Sequence, residues 1–395
     1  MSGFAEKLGA LAEGLPLDAA APLRAAGLAA FRQHGLPHKR LENWKFTGLG
    51  DLDRGDWRLA ANEAAPFGPL PQGALARGAS LKPLAEAVAA EPGLLESLMP
   101  ETTPASALAA LNAGLLNRGW LLDIAPGAVL EQPILFNRSG IAGQLDNVTL
   151  FIRVGEGAQA SLLESHAGAG WYNGVLRLRL GFGAALEHAR IHQGGKHSYN
   201  IGFLDVRLDK AARYRHASLL AGDGLARHEM AIGLHGEAAE AEISGLALPR
   251  GDGHLDHTLR LEHAAAHCRS AQLFKNAVFD AGHAVFQGSI RVAPGAQRTD
   301  AQQLCRTLLL SDEAQVDTKP ELEILADDVS CSHGATVGDL DAMMLFYMQA
   351  RGIPAEQARR LLLEGFAEEI TQALEGEALL APFMQAVTQN LEAAV

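Results

Sequence analysis

Short turn-like pieces recur through the middle of the chain: Pro126-Gly127-Ala128, Glu156-Gly157-Ala158, Phe182-Gly183-Ala184, Lys210-Ala211-Ala212 and Gly236-Glu237-Ala238. Their spacing of about 26 to 30 residues is that of coiled repeat architectures, in which each repeat buries its apolar side only against its neighbours. Between the turns lie alternating segments such as 148–154 and 175–180. An apolar-polar alternation with period two is the signature of half-buried strands. Each repeat holds two strands, as in 185–193 followed by 200–208, and no helix between them is long enough to serve as a crossover. Parallel strands need a long connection, and here the next turn of the coil supplies it. The expected fold is therefore a parallel β-helix core, 119–338, between helical regions at 1–118 and 339–395.

Composition supports an ordered chain with a large interior. Of 395 residues, 48% are hydrophobic and 20% charged, within the range of globular proteins. With 33 Lys and Arg against 46 Asp and Glu, the net charge is −13, which gives no electrostatic grip on nucleic acid or an anionic membrane. Neither a secretory leader nor an apolar run of membrane-spanning length is evident. The cysteines, Cys268, Cys305 and Cys331, are three in number and far apart, unlike the paired framework of a secreted scaffold. A reducing cytoplasm is the expected setting.

The flanks read as helices. Ser2 opens a segment ending near Gly14, and 17–33 is rich in alanine and leucine before His34-Gly35-Leu36-Pro37 stops it. Glycine and proline crowd 48–83, and 84–89 and 105–116 return to helical texture. Beyond Gly338, Leu340, Met343, Met344 and Tyr347 share one helical side, and Ala358, Leu361, Leu362, Phe366, Ile370 and Leu374 recur at helical spacing.

The run Ala326-Asp327-Asp328-Val329-Ser330-Cys331-Ser332-His333-Gly334 places a thiol and an imidazole two residues apart. On an extended strand both point to the same side. Cys331 and His333 are thus candidate ligands of one iron, metal or cluster, but four protein ligands are usual, so the shell is incomplete. An imidazolium or metal nearby would lower the thiol pKa, and a buried structural thiol is the competing reading. A hydrolytic Cys-His pair fits worse, because strand neighbours two apart have Cα atoms about 6.5 Å from each other and no third orienting residue is assignable. The Gly-x-Gly pieces, for example Gly155-Glu156-Gly157 and Gly251-Asp252-Gly253, lack the strand-turn-helix context of a phosphate loop and read as turns. His257, His263, His267 and Cys268 cluster in sequence without a fixed metal spacing, so alternation along a strand accounts for His257 and His263. Cys268 and Cys305 lie among apolar residues and read as small buried hydrophobes.

The stretches Pro320-Glu321-Leu322-Glu323-Ile324, Cys331-Ser332-His333-Gly334-Ala335-Thr336-Val337-Gly338, Leu345-Phe346-Tyr347 and Arg351-Gly352-Ile353 resemble the SufB/SufD family of iron-sulfur cluster assembly scaffolds. The resemblance extends to His257-Thr258, Ser270-Ala271-Gln272, Phe274-Lys275 and Glu42-Asn43-Trp44-Lys45-Phe46-Thr47. It is to the SufD branch, because Ser311-Asp312-Glu313-Ala314 lacks the cysteine that SufB-like chains carry there.

That resemblance implies a right-handed parallel β-helix and a non-enzymatic subunit that pairs with SufB through the ends of the core. It implies docking of the SufC ATPase on the C-terminal helices, with Leu345, Phe346, Tyr347, Arg351, Gly352 and Phe366 as partner-binding residues. Cys331 and His333 then fall at the SufB junction, where a transient iron-sulfur cluster or iron is shared; none is expected on the isolated chain, which could self-pair as a homodimer. Neutral imidazole binds iron without the deprotonation a thiol requires, which favours His333. A purely architectural subunit is the alternative. A polysaccharide-acting β-helix enzyme is disfavoured by the missing leader and the absence of a calcium-binding aspartate cluster.

Overall fold

The computed structural model describes residues 2–61, 78–99 and 103–394. Part of the glycine- and proline-rich stretch 48–83 lies outside the described residues. The N-terminal region holds helices α1 (Ser2–Ala10) and α2 (Ala21–His34), short strands β1 (Arg58–Leu59) and β2 (Ala79–Pro83), and helices α3 (Leu84–Ala90), α4 (Leu94–Leu98) and α5 (Ala107–Gly114). Strands then follow without an intervening helix: β3 (Arg118–Ile124), β4 (Ile134–Gly140), β5 (Gln144–Val154), β6 (Gln159–Leu180), β7 (Ala185–Leu208), β8 (Arg213–Gly222), β9 (Leu225–Leu234), β10 (Glu240–Pro249), β11 (His254–His263), β12 (Arg269–Val278), β13 (His283–Val292), β14 (Asp300–Leu309), β15 (Gln315–Ile324) and β16 (Ser330–Gly338). Helices α6 (Ala342–Ala350), α7 (Ala355–Glu368) and α8 (Glu377–Glu392) end the chain.

The strands coil into a parallel β-solenoid of about 8 turns. From β7, which spans 24 residues, one ladder runs through β9, β11, β13 and β15 and the other through β8, β10, β12, β14 and β16. The two strands expected at 185–193 and 200–208 are one element, because the chain stays extended and paired around the corner. Each ladder gains one strand per turn. Both therefore end together, at β15 and β16.

The turns stack as the repeat requires. Gly127, Gly157, Gly183, Ala211, Ala238, His267 and Arg298 all take left-handed φ, and each N–H donates to a carbonyl one coil further on, from Gly127 to Glu156 at 2.7 Å through to Arg298 to Asp328 at 2.6 Å. The residue after each is small and buried: Ala128, Ala158, Ala184, Ala212, Ala239, Cys268 and Thr299. The turn expected at Gly236-Glu237-Ala238 is thus shifted by one, to Glu237-Ala238-Ala239. Stacking selects the residue whose N–H meets the next coil, and glycine is not what marks it.

Leucine, isoleucine, valine and phenylalanine on alternate strand positions fill the interior, from Val148 and Leu150 to Ile290 and Val292. Each such side chain contributes about 1.5–3 kcal/mol on burial. The C-terminal helices fold back on one flank, where Leu363, Ala367, Ile370, Leu374, Leu379 and Phe383 pack on Ala189, Leu219, Leu246 and Ala277. Ala358, Ile370 and Leu374 lie on the buried side as expected, but Leu361 is 39% exposed and Leu363 takes the core position. Among the described residues no helix is long and apolar enough to cross a membrane.

Candidate functional site

Cys331 and His333 lie on β16, the last strand of its ladder. Its pairing with β14 sets Cys331 beside Ala301, His333 beside Gln303 and Ala335 beside Cys305. In β14 those three partners point inward and are buried. Side chains in register on parallel strands share a face, so Cys331 and His333 continue an interior column. Among the described residues no strand lies beyond them. Cys331 is half-buried against the main core and His333 is exposed, so the column opens outward at an unpaired edge, a template for association.

The thiol differs from the thiolate that spacing had allowed. Burial pushes the Cys331 pKa up, and the nearby Asp300 carboxylate adds to it. Cys331 is therefore a neutral thiol near pH 7. Cys268 and Cys305 are structural: Cys268 occupies the small position of a stacked turn and donates to the Gly236 carbonyl at 3.2 Å, while burial raises Cys305 to about 11. All three cysteines are free. His257 and His263 are interior residues, bonded to Ser218 at 3.0 Å and Ser270 at 2.9 Å; burial lowers them to about 3 and about 4. His267 stays exposed at its turn. Among the described residues no group of three or more His, Cys, Asp and Glu side chains could hold a metal ion.

Beyond the residues expected from sequence, a polar seam runs inside the solenoid. Arg190 donates to Glu164 at 2.9 Å and to Asn200 at 2.9 Å, and His188 bonds the Tyr214 hydroxyl at 2.8 Å. Burial opposes ionisation of Glu164, but the Arg190 charge together with the His166 and His188 rings outweighs it and holds the carboxyl well below the usual range. The rings of His188, His216, His228 and His257 succeed one another with centroids 4.5, 5.3 and 6.2 Å apart. Further along, Gln303 donates to Gln272 at 2.7 Å. The signal was present in sequence, since Glu164, His188 and Arg190 alternate in phase with Leu162 and Leu186.

At the C-terminal end, Asp341 caps α6 by accepting from the N–H groups of Met343 and Met344. The helix buries none of its residues. Met343 and Phe346 are 74% and 66% exposed, with Met344 and Tyr347 also open. Leu345 is half-buried, Arg351 lies over the Tyr347 ring at 5.1 Å, and Gly352 makes the turn with left-handed φ. Phe366 faces the solenoid instead: its carbonyl accepts from Lys275 at 2.7 Å, and that ammonium lies 4.4 Å from its ring centroid.

Fold and site together define a helix-flanked β-solenoid protein that presents a thiol and an imidazole on its open terminal rung. Residues 137–366 match the model of the SUF system FeS cluster assembly, SufBD core domain. The chain is 32% identical over 383 residues to the iron-sulfur cluster assembly protein SufD of Escherichia coli, covering 90% of each. It is 34% identical over 268 residues to the chloroplastic protein ABCI7 of Arabidopsis thaliana, covering 64% of this chain and 56% of the plant protein. A SufBD family protein of Synechocystis is 34% identical over 255 residues, covering 60% of this chain and 55% of its relative. The chain belongs to the SufBD family of iron-sulfur cluster assembly proteins, and its resemblance is to SufD.

Proposed function

We propose that this chain is a cytoplasmic, non-enzymatic scaffold subunit that pairs through its open solenoid end with a SufB subunit and contributes half of a coordination site at the seam. The observation that carries this is the placement of His333 and Cys331 on β16, the last strand of its ladder, in line with the interior column. A second solenoid continuing both ladders would cover that column and bring its own donors within reach. His333 offers a neutral nitrogen to iron or to the nascent cluster, which is the cargo of the assembly; Cys331 joins only after losing its proton.

The exposed apolar surface of α6 suits a partner, and we assign it to the SufC ATPase. Movement of α6 on ATP binding would pass through α7 to the flank of the solenoid that α7 covers. A purely architectural role is favoured by the protonated state of Cys331. The two readings separate on His333→Ala in a complex reconstituted with SufB and SufC: impaired iron and sulfide loading with intact assembly supports the half-site, and unchanged loading removes it.

A further inference from the structure

The interior column does not stop at Cys305 and Gln303; it runs directly into the open end. Gln272, Gln303 and His333 are successive in-register neighbours on β12, β14 and β16, with strands about 4.8 Å apart along the column. Gln303 is 3% exposed. Its Nε2 donates to Gln272 Oε1 at 2.7 Å. Its Oε1 is buried and has no hydrogen-bond partner. A buried carbonyl oxygen left unpaired costs about 1–3 kcal/mol, and the next inward residue toward the open end is His333.

Space for this amide is built into the facing ladder. Gly288 on β13 borders Gln303, and a Cβ at Gly288 would meet Gln303 Nε2 at 2.4 Å and Cδ at 2.9 Å. Glycine there leaves the amide free to lie along the column.

We propose that Gln303 is a positioning residue for His333, accepting the ring N–H so that the other ring nitrogen presents its lone pair at the open end. This deepens, and rests on, the assignment of His333 as an iron ligand. A neutral imidazole has one N–H and one lone pair, and the partner of the first decides where the second points. Metal-ligating histidines are commonly held in this way by an oxygen acceptor behind the ring. The polarity matters: a reversed amide would donate into the ring and put the hydrogen on the outward nitrogen, which then could not bind a metal.

The test uses the full chain labelled with 15N-histidine, with His333→Asn to assign the ring. Long-range 1H–15N spectra at pH 8 read the tautomer directly. The wild-type ring is expected in one tautomer, Gln303→Leu in a mixture, and Gln303→Glu in one tautomer again, because a carboxylate still accepts. A wild-type mixture, or an unchanged ring in Gln303→Leu, overturns the proposal. If the leucine variant fails to fold, Gly288→Ala displaces the same amide without removing it, and the same outcomes apply. In the complex with SufB and SufC, ferrous iron retention is expected to fall about 10- to 100-fold in Gln303→Leu. Undiminished retention in His333→Ala would remove the ligand assignment while leaving the tautomer result to decide the role of Gln303.

Discussion

The Arg227 guanidinium lies 4.2 Å from the centroid of the Trp44 ring, with both side chains fully buried. Arg227 also donates to the Asn43 carbonyl at 2.8 Å and to Glu229 at 3.0 Å, and it pairs with Asp256. Thr47 reaches Asp256 and His254, and Glu42 meets Lys319 on β15 at 2.5 Å. The segment 42–47 is thus strapped across the ladder from β9 to the terminal strand.

Trp44→Ala should cost about 3–5 kcal/mol, the range for emptying a buried indole site, and should also leave the Arg227 charge without its ring. Because the contacts join two regions, the loss should appear as early release of the N-terminal helices. Hydrogen exchange followed peptide by peptide checks this. Faster exchange spread equally over the solenoid would contradict it.

Acidification should destabilise the fold below about pH 6.5. His166, His257 and His263 are held neutral by burial, with pKa lowered to about 4, about 3 and about 4 from 6.5. Between those values the unfolded rings take up protons and the folded ones do not. Their contribution is therefore fully present above pH 6.5 and lost as the pH falls through the folded pKa, by up to ~1.4 kcal/mol per pH unit for each ring. Urea midpoints at pH 7, 6 and 5 measure it; a flat series would refute it.

Lys275→Met should loosen the C-terminal helices while leaving the solenoid folded. Its ammonium, fully buried, holds the Phe366 carbonyl at 2.7 Å and Glu369 at 2.9 Å, and burial lowers its pKa against the pull of Glu369. Hydrogen bonds to charged groups are worth about 1.5–3 kcal/mol. Limited proteolysis near residues 366–376 reports the release, and resistance equal to the wild type would count against the latch.

Cys331 should be the one cysteine open to alkylation in the folded chain, and a slow one. Its thiol is half-buried and raised in pKa, so its rate with iodoacetamide at pH 7 should fall below that of a small free thiol and rise with pH past 9. Cys268 and Cys305 should react only after denaturation. Peptide mass spectrometry distinguishes them; fast labelling of Cys331 at pH 7 would contradict the neutral-thiol assignment.

Much of the solenoid was legible because its two determinants are local and repeated: period-two alternation and turns that stack at a constant interval. The shifted turn at Ala238 was not, since its left-handed residue is chosen by a carbonyl on the next coil. The interior seam was only half legible. Alternation places Glu164, His188 and Arg190 in phase with core leucines, yet ionisable side chains ordinarily face water, and only their mutual pairing inside the coil allows them to be buried. Leu361 and Leu363 exchanged roles for a similar reason, because helical spacing offers several apolar stripes and the flank of the solenoid selects one.

By itself the amino-acid order determined that Cys331 and His333 share a side, because that follows from backbone geometry over three residues. Only the tertiary structure decided which side it is and where it leads. Both ladders run out at β15 and β16, so a column that is sealed at Ala301 and Gln303 becomes open one strand later. That outcome depends on non-local pairing between strands about 30 residues apart, which no local pattern encodes.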